Sequence, residues 1–410
     1  MREMKDSGIE WIGEIPINWK ICRLKDYAHI CNGRDYSEVL DEIGNYPVIG
    51  SGGQFAKACK SLYQKESVLL GRKGTIDKPL FVNYPFWTVD TMYYTEIKEN
   101  VSAKYFYYLC TQINFDFYQY GSAVPSMTQR DLYNVNFPYP ALDEQCRIAN
   151  YLDRKCSQID FIIARQQEVI EKLKVYKLSV ITEAVTKGLN PDVPMKDSGV
   201  DWIGEIPEHW TVSALRYGLE NIQTGPFGSQ LHAEDYIEDG IFVINPANIV
   251  EGCIVPDNRC SVTELKAQEL SRHILNKGDI IFARRGEMGR CAYFGGSFQR
   301  YLCGTGCIKI HCNANLMPEF ISWFLQTSCV KQYLTLNSVG TTMANLNTTI
   351  ISGIPVVFPP ISEQEKVVEY IKNKICEIDC VLKNKLSIVE KLTKYKKSLI
   401  YEVVTGKKEV

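Results

Sequence analysis

MKDSGIEWIGEIPIN, residues 4–18, returns at 195–209 as MKDSGVDWIGEIPEH, and a tryptophan (Trp19 or Trp210) follows each copy. Of these 16 positions 12 are identical, and Ile9/Val200 and Glu10/Asp201 are conservative exchanges. A match of that length inside one 410-residue chain means two copies of one module.

A second pair of repeats lies downstream of the first. LDEQCRIANYLDRKCSQIDFIIARQQEVIEKLKVYKLSVITEAVTKG (142–188) aligns with ISEQEKVVEYIKNKICEIDCVLKNKLSIVEKLTKYKKSLIYEVVTGK (361–407), pairing Glu144 with Glu363, Gln145 with Gln364, Asp160 with Asp379 and Tyr176 with Tyr395. The offset here is 219, against 191 for the opening peptide, so the middle of the second module is longer by 28 residues. Neither segment holds proline or glycine before its end, and Lys, Glu, Ile and Leu dominate both, which is helix composition. Acidic residues at each start (Asp143 and Glu144; Glu363) suit a helix N-terminus.

Apolar residues then recur with 4-3 spacing. The first segment gives Leu152, Cys156, Ile159, Ile163, Gln166, Ile170, Leu173, Lys177, Val180 and Ala184. The second gives Ile371, Ile375, Ile378, Leu382, Lys385, Val389, Leu392, Lys396, Leu399 and Val403. That is a coiled-coil seam. Its polar members, Gln166 with Lys385 and Lys177 with Lys396, stand at equivalent positions. They either fix register and orientation or reach past the seam into water. About 44 residues at ~1.5 Å each make a rod of ~66 Å.

The predicted organisation is a globule over 1–140 with its opening peptide at 4–19, a helix over 141–187, a linker and second globule over 188–359 with its opening peptide at 195–210, and a helix over 360–410. The two globules differ over most of their length. One contains VLLGRKGTIDKPLF (68–81) and PFWTVDTMYY (85–94); the other contains GDIIFARRGEMGRCAYF (278–294). Short β-rich runs broken by glycine read as α/β-type globules within an α+β chain. Similarity returns at GSAVPSMT (121–128) and GTTMANLN (340–347), again at offset 219. Joining residue 410 to residue 1 would recreate the central junction, so a pseudo-twofold, near-circular arrangement is expected, with two antiparallel helices between the globules.

Composition narrows the function. A net charge of −2 argues against a protein that coats nucleic acid by bulk positive charge, though not against a locally basic groove. No apolar run approaches the ~20 residues of a membrane helix, and MREMKDSGIEW has no apolar signal core. The 15 cysteines read as reduced thiols of a cytoplasmic protein with no membrane partner. Asn245-Pro246-Ala247 falls short of the NPPY-like loop of an adenine methyltransferase, VIGSGG (48–53) lacks an acidic partner, and GRKGT (71–75) is no P-loop. No catalytic residue is assigned. Cys303, Cys307 and Cys312 beside His311 lack the paired C-x2-C spacing of structural zinc, so no metal site is assigned and packed thiols are expected. The aromatic run YFYYLCTQINFDFYQY (105–120) has the spacing of a buried helix face, and Trp11, Trp19, Trp202 and Trp210 read as core anchors.

Candidates for nucleic-acid contact are Arg72 and Lys73 between the glycines of GRKG, and Arg284 and Arg285 before a glycine in ARRGEMG. Basic residues on glycine-supported loops approach phosphates closely or reach base edges. Ser126, Thr128, Gln129 and Arg130, with Thr341, Thr342, Asn345 and Asn347, add hydroxyl, amide and guanidinium donors at the returning motif. The competing role is that of solvated loops or local backbone caps.

Taken together, the DSGxxWIGxIPxxW opening peptide, the GRKGTI…PFWTVDTMYY block and the EQ-initiated helices ending EAVTKG and EVVTGK resemble the specificity subunit of Type I restriction–modification systems over essentially the whole chain. The resemblance implies that each globule is a target recognition domain reading one half of a split, asymmetric double-stranded DNA sequence. It implies that the helices set the half-site spacing and dock two modification subunits. It also places S-adenosylmethionine, ATP and Mg in partner subunits that methylate adenine or restrict DNA, with no cofactor in this chain. Two alternatives remain open: a self-sufficient DNA methyltransferase, for which 410 residues leave no catalytic domain, and a scaffold or silent copy that does not bind DNA.

Overall fold

The computed structural model describes residues 2–115, 125–286, 289–337 and 346–410. Two long helices dominate, Leu142–Lys187 and Ile361–Val404. The chain divides into two compact units, residues 1–168 with 385–410 and residues 169–384, so each unit contains half of each helix. Among the described residues no helix is long and apolar enough to cross a membrane.

In each unit the two helix halves run antiparallel. The first core joins Leu152, Cys156 and Ile159 to Leu399, Ile400 and Val403; the second joins Ile181, Ala184 and Val185 to Val367, Val368 and Ile371. Every residue of the 4-3 series is buried or half-buried, and through the middle of each helix its immediate neighbours are mostly exposed. Ile163, Gln166, Leu173, Leu382, Lys385, Val389 and Leu392 are half-buried, whereas Ile170 and Ile378 are buried. The apolar spacing thus maps directly onto burial.

Each opening peptide is a small hairpin. Met4–Asp6 pairs with Glu14–Pro16 and Met195–Asp197 with Glu205–Pro207, in the same register. Trp19 and Trp210 are buried in their respective cores, while Trp11 and Trp202 are partly buried against them. Trp19 Nε1 donates to Glu144 Oε2 at 2.9 Å, and Trp210 Nε1 donates to Glu363 Oε2 at 2.9 Å. The neighbouring glutamine of each EQ pair is fully buried and ties three backbone groups, Gln145 those of Ser102, Pro140 and Asn100, and Gln364 those of Met317, Pro359 and Asn315. The near-circular order is visible within the first unit. There Gly406 lies against Pro16 and Trp19, and Lys407 Nζ donates to the Ile12 carbonyl at 2.7 Å. Gly188 holds the matching place against Trp210 and Pro207 in the second unit.

The two globules share one topology although their sequences differ. In the first, Ala28–Asn32, Met92–Ile97, Ser67–Gly71 and Leu80–Val82 form a four-stranded sheet in that order; in the second, Leu219–Thr224, Cys307–Cys312, Ile280–Ala283 and Cys291–Tyr293 do the same. A three-stranded sheet accompanies each, with a parallel pair Tyr46–Gly50/Trp87–Thr88 or Ile241–Ile244/Tyr301–Cys303. Most of the extra length of the second globule is confined to two connections. Residues 245–260 replace a two-residue turn at 51–52, and 263–279 replace 59–66. The connections 89–91 and 304–306 keep the same length.

The aromatic run enters the core as expected. In helix Ala103–Cys110, Tyr105, Phe106, Tyr108 and Leu109 are buried. Residues 116–120 of the run lie outside the described residues.

Candidate nucleic-acid interface

Strand Ser67–Gly71 is buried along its whole length and emerges at the turn Arg72-Lys73-Gly74. Gly71 has no room for a side chain, since a Cβ would stand 2.5 Å from the Thr75 carbonyl oxygen, and Gly74 has φ +82°. Two further segments fasten this turn. The Arg72 N–H donates to the Thr91 carbonyl at 2.9 Å, the Met127 N–H donates to the Arg72 carbonyl at 3.1 Å, and the Gly74 N–H donates to the Pro125 carbonyl at 3.0 Å. The Arg72 guanidinium bonds the Asp90 carbonyl at 3.2 Å and lies 6.0 Å from the Tyr93 ring centre. It is thereby held in place, while Lys73 is exposed.

Gly33 brings in another loop. Its N–H donates to the Met92 carbonyl at 3.0 Å, and a Cβ there would fall 2.0 Å from the Val89 carbonyl oxygen. Arg34, next in sequence, is exposed. The β-hairpin turn at 51–52 completes the group, because Thr88 Oγ1 donates to the Ile49 carbonyl at 2.8 Å. Five loops therefore meet at one end of the globule: 33–35, 51–52, 72–74, 89–91 and 125–128.

The second globule builds the same cluster. Strand Ile280–Ala283 emerges at Arg284-Arg285-Gly286, with Gly286 at φ +86°. The Arg284 N–H donates to the Gly306 carbonyl at 3.0 Å, and the Leu346 N–H donates to the Arg284 carbonyl at 3.0 Å. Gly225 has its N–H on the Cys307 carbonyl at 2.9 Å, and a Cβ there would fall 1.9 Å from the Gly304 carbonyl oxygen. Asn245 and Pro246 close the set against Gly304 and Gly306. Arg284 and Arg285 therefore correspond to Arg72 and Lys73 position for position, a match that ARRGEMG and GRKG only hint at in sequence. Arg285 is exposed; the Nε of half-buried Arg284 is buried and lacks an acceptor among the described residues.

The returning motif divides between support and surface. Ser126 pairs by its backbone with Lys73. Thr128 and Asn347 are both helix N-caps, with Thr128 Oγ1 accepting from the Asp131 N–H at 3.2 Å and Asn347 Oδ1 from the Ile350 N–H at 2.8 Å. Their side-chain oxygens serve the backbone, which explains why a polar residue recurs there at offset 219. Gln129 Nε2 donates to Asn32 Oδ1 at 3.2 Å, and Arg130 is exposed. Thr341, Thr342 and Asn345 lie outside the described residues. Sequence reasoning missed Asn32, Gly33, Arg34 and Gly225, and it did not connect Asn245 with this face. The one signal for them is a glycine immediately after an early strand, and it acquires meaning only once the strands are paired.

The thiols set aside from metal binding are packed. Burial pushes Cys303 and Cys312 up to about 12 and Cys307 well above its usual range, so all three stay protonated. His311 Nδ1 faces Asp279 Oδ1 at 2.7 Å rather than a thiol.

Comparison with known proteins agrees with this architecture. The MjaVIII Type I restriction enzyme specificity subunit of Methanocaldococcus jannaschii is 23% identical, over 97% of this chain and 94% of its own. The EcoBI specificity subunit of Escherichia coli is 21% identical, over 93% and 84%. A solved chain from a study of type I restriction–modification complex assembly has the same fold, with a TM-score of 0.71 at 14% identity over 95% of this chain and 98% of that one. The HsdS subunit of Thermoanaerobacter tengcongensis covers 96% and 98% at 14% identity with a TM-score of 0.50. The family described as Type I restriction modification DNA specificity domain matches residues 16–172 and 221–390, about four fifths of the sequence. The chain belongs to that family, whose similar members are specificity subunits of Type I restriction enzymes.

Proposed function

We propose that each five-loop face reads one half of a split, asymmetric duplex DNA target and that the paired helices fix the distance between the halves. The observation that carries this reading is the recurrence of one loop scaffold, with a basic turn at Arg72-Lys73 and again at Arg284-Arg285, bearing otherwise different side chains. Equal scaffolds with unequal contents suit a target whose halves differ. Exposed Arg34, Lys73, Arg130 and Arg285 supply phosphate and base-edge donors. In this reading two modification subunits dock on the helices and methylate adenine with S-adenosylmethionine, and restriction subunits add ATP- and Mg-dependent cleavage. Relatives named as specificity subunits, and a same-fold chain from a type I complex, support the assignment.

Sequencing of adenine methylation in cells expressing the chain with its modification subunits tests it directly. The expected result is a bipartite motif. Insertion of one heptad into both helices, a lengthening of ~10 Å, is expected to widen the gap by about 3 base pairs and leave both halves unchanged. An unchanged gap would refute the spacing role.

A further inference from the structure

Each five-loop face carries one exposed phenylalanine that the charge-based reading leaves unused. Phe55, on strand Gly53–Ala58, is 55% exposed, and Phe227, two residues beyond Gly225, is 58% exposed. Phe55 is fixed rather than adrift. Its ring meets Tyr36 edge-on, with centres 5.3 Å apart and planes at 87°, and its Cε1 lies 3.2 Å from where a Gly50 Cβ would stand. Ser51, next to Gly50, reaches toward Gly74 of the basic turn, with its Oγ 3.9 Å from a Cβ built there. The ring thus packs beside Gly50, whose neighbour Ser51 approaches the basic turn at Gly74.

Phe227 sits on a different loop of the second face, the one after strand Leu219–Thr224 that corresponds to 33–35. Its carbonyl accepts from the Gln230 N–H at 2.8 Å, its own N–H donates to Gln230 Oε1 at 3.1 Å, and Gly225 presses the loop against Gly304. Gly306, two residues on, accepts the Arg284 N–H. The two phenylalanines come from different segments of globules with unlike sequences, yet each stands on or next to a loop of the face that carries the basic turn. An isolated exposed apolar side chain is ordinary; one on each face, within a set of loops that also carries exposed Lys73 or Arg285, is not.

We infer that Phe55 and Phe227 make apolar contacts to DNA base edges, one in each half-site, supplying sequence discrimination that does not depend on salt. The occupant is duplex DNA because the same set of loops is cationic: arginine and lysine neutralise phosphates, and the apolar surface of a duplex that differs with sequence lies at its bases, thymine methyls above all. This inference rests on the DNA-reading role proposed above.

The test uses the full chain assembled with its modification subunits, and duplexes carrying the methylated motif, the motif with its first half scrambled, or the motif with its second half scrambled. Fluorescence anisotropy over a series of salt concentrations measures binding. Phe55→Ala is expected to lower the preference for the intact over the scrambled first half about tenfold, as removal of a half-buried phenyl contact would. The slope of log affinity against log salt should not change. Phe227→Ala should do the same for the second half alone. Phe55→Leu should keep most of the preference and shows that the position tolerates substitution, and Lys73→Ala should reduce the salt slope by about 1. A preference unchanged within twofold in Phe55→Ala, or an equal loss on intact and scrambled DNA, overturns the inference and leaves the DNA-reading role standing. A wild-type complex that does not discriminate overturns both.

Discussion

Lys177 of the first long helix places its Nζ 2.7 Å from Asp379 Oδ1 of the second. The reciprocal pair, Lys396 Nζ with Asp160 Oδ1, is also 2.7 Å apart. Each lysine is a polar seam residue, each aspartate lies on the other helix, and residue numbers add to 556 in both pairs, so the two units hold one antiparallel register. The lysines do more than reach for water.

Charge reversal at Lys177 should therefore destabilise the pairing. In Lys177→Asp two carboxylates face each other, and a loss of about 1 kcal/mol is expected in thermal unfolding at low salt. The exchange Lys177→Asp with Asp379→Lys should recover most of it. Failure of the double variant to recover would show that the pair adds nothing to register.

Gln145→Ala should cost far more than its size suggests. The buried amide satisfies the Ser102 N–H at 2.9 Å and the Pro140 carbonyl at 2.9 Å, and alanine would strand both. A loss of about 3 kcal/mol in denaturant unfolding is expected, with a similar result for Gln364→Ala. A change below about 1 kcal/mol would mean that water replaces the amide.

Gly33→Ala and Gly225→Ala probe the loop scaffold. Each added Cβ meets a backbone carbonyl oxygen, at 2.0 Å in one case and 1.9 Å in the other, and neither carbonyl is the end of a flexible side chain. A destabilisation of about 3 kcal/mol is expected, because the backbone must move. On the proposed reading, Gly33→Ala should weaken recognition of the first half-site and Gly225→Ala that of the second, as methylation of partly altered targets would report. Equal damage to both halves would argue against independent faces.

His273 gives the second globule an acid sensitivity. Burial, then the neighbouring charges of Arg272 and Lys309, lowers its pKa to about 4. Unfolded histidine titrates near ~6.5. Between those values the unfolded chain binds the extra proton, so stability is full above about pH 6.5 and declines as pH falls toward 4. The melting temperature should fall across that window, and His273→Gln should flatten the decline. A slope equal in both proteins would assign the sensitivity elsewhere.

The helices were legible in sequence because a 4-3 apolar series is a local property that maps straight onto burial, as Leu152, Ile159, Ile371 and Ile378 show. The partners of Lys177 and Lys396 were not legible, since Asp160 and Asp379 become their neighbours only when the antiparallel register is known. The shared topology of the globules was hidden for a similar reason. Strand pairing is non-local, and the insertion at 245–260 displaces every later landmark of the second block. Arg72 and Lys73 stand out in sequence as basic residues between the glycines of GRKG, yet their equivalence to Arg284 and Arg285 needs the strand that leads into each turn. Thr128 and Asn347 were recognised as recurring polar residues, but spacing alone did not distinguish a cap from a reader.

The tryptophan–glutamate bond closes each globule where its chain enters and leaves, with side chains that both belong to the repeated segments, while the neighbouring glutamine reaches backbone groups of the interior. Such a block behaves as a cassette with standard couplings. A foreign interior spliced between Trp19 and Glu144 would be closed by the same tryptophan–glutamate bond and would need to offer the glutamine only backbone groups. A single genetic crossover in the repeats would therefore exchange a whole globule, and on the proposed reading the half-site it recognises, while keeping this closure.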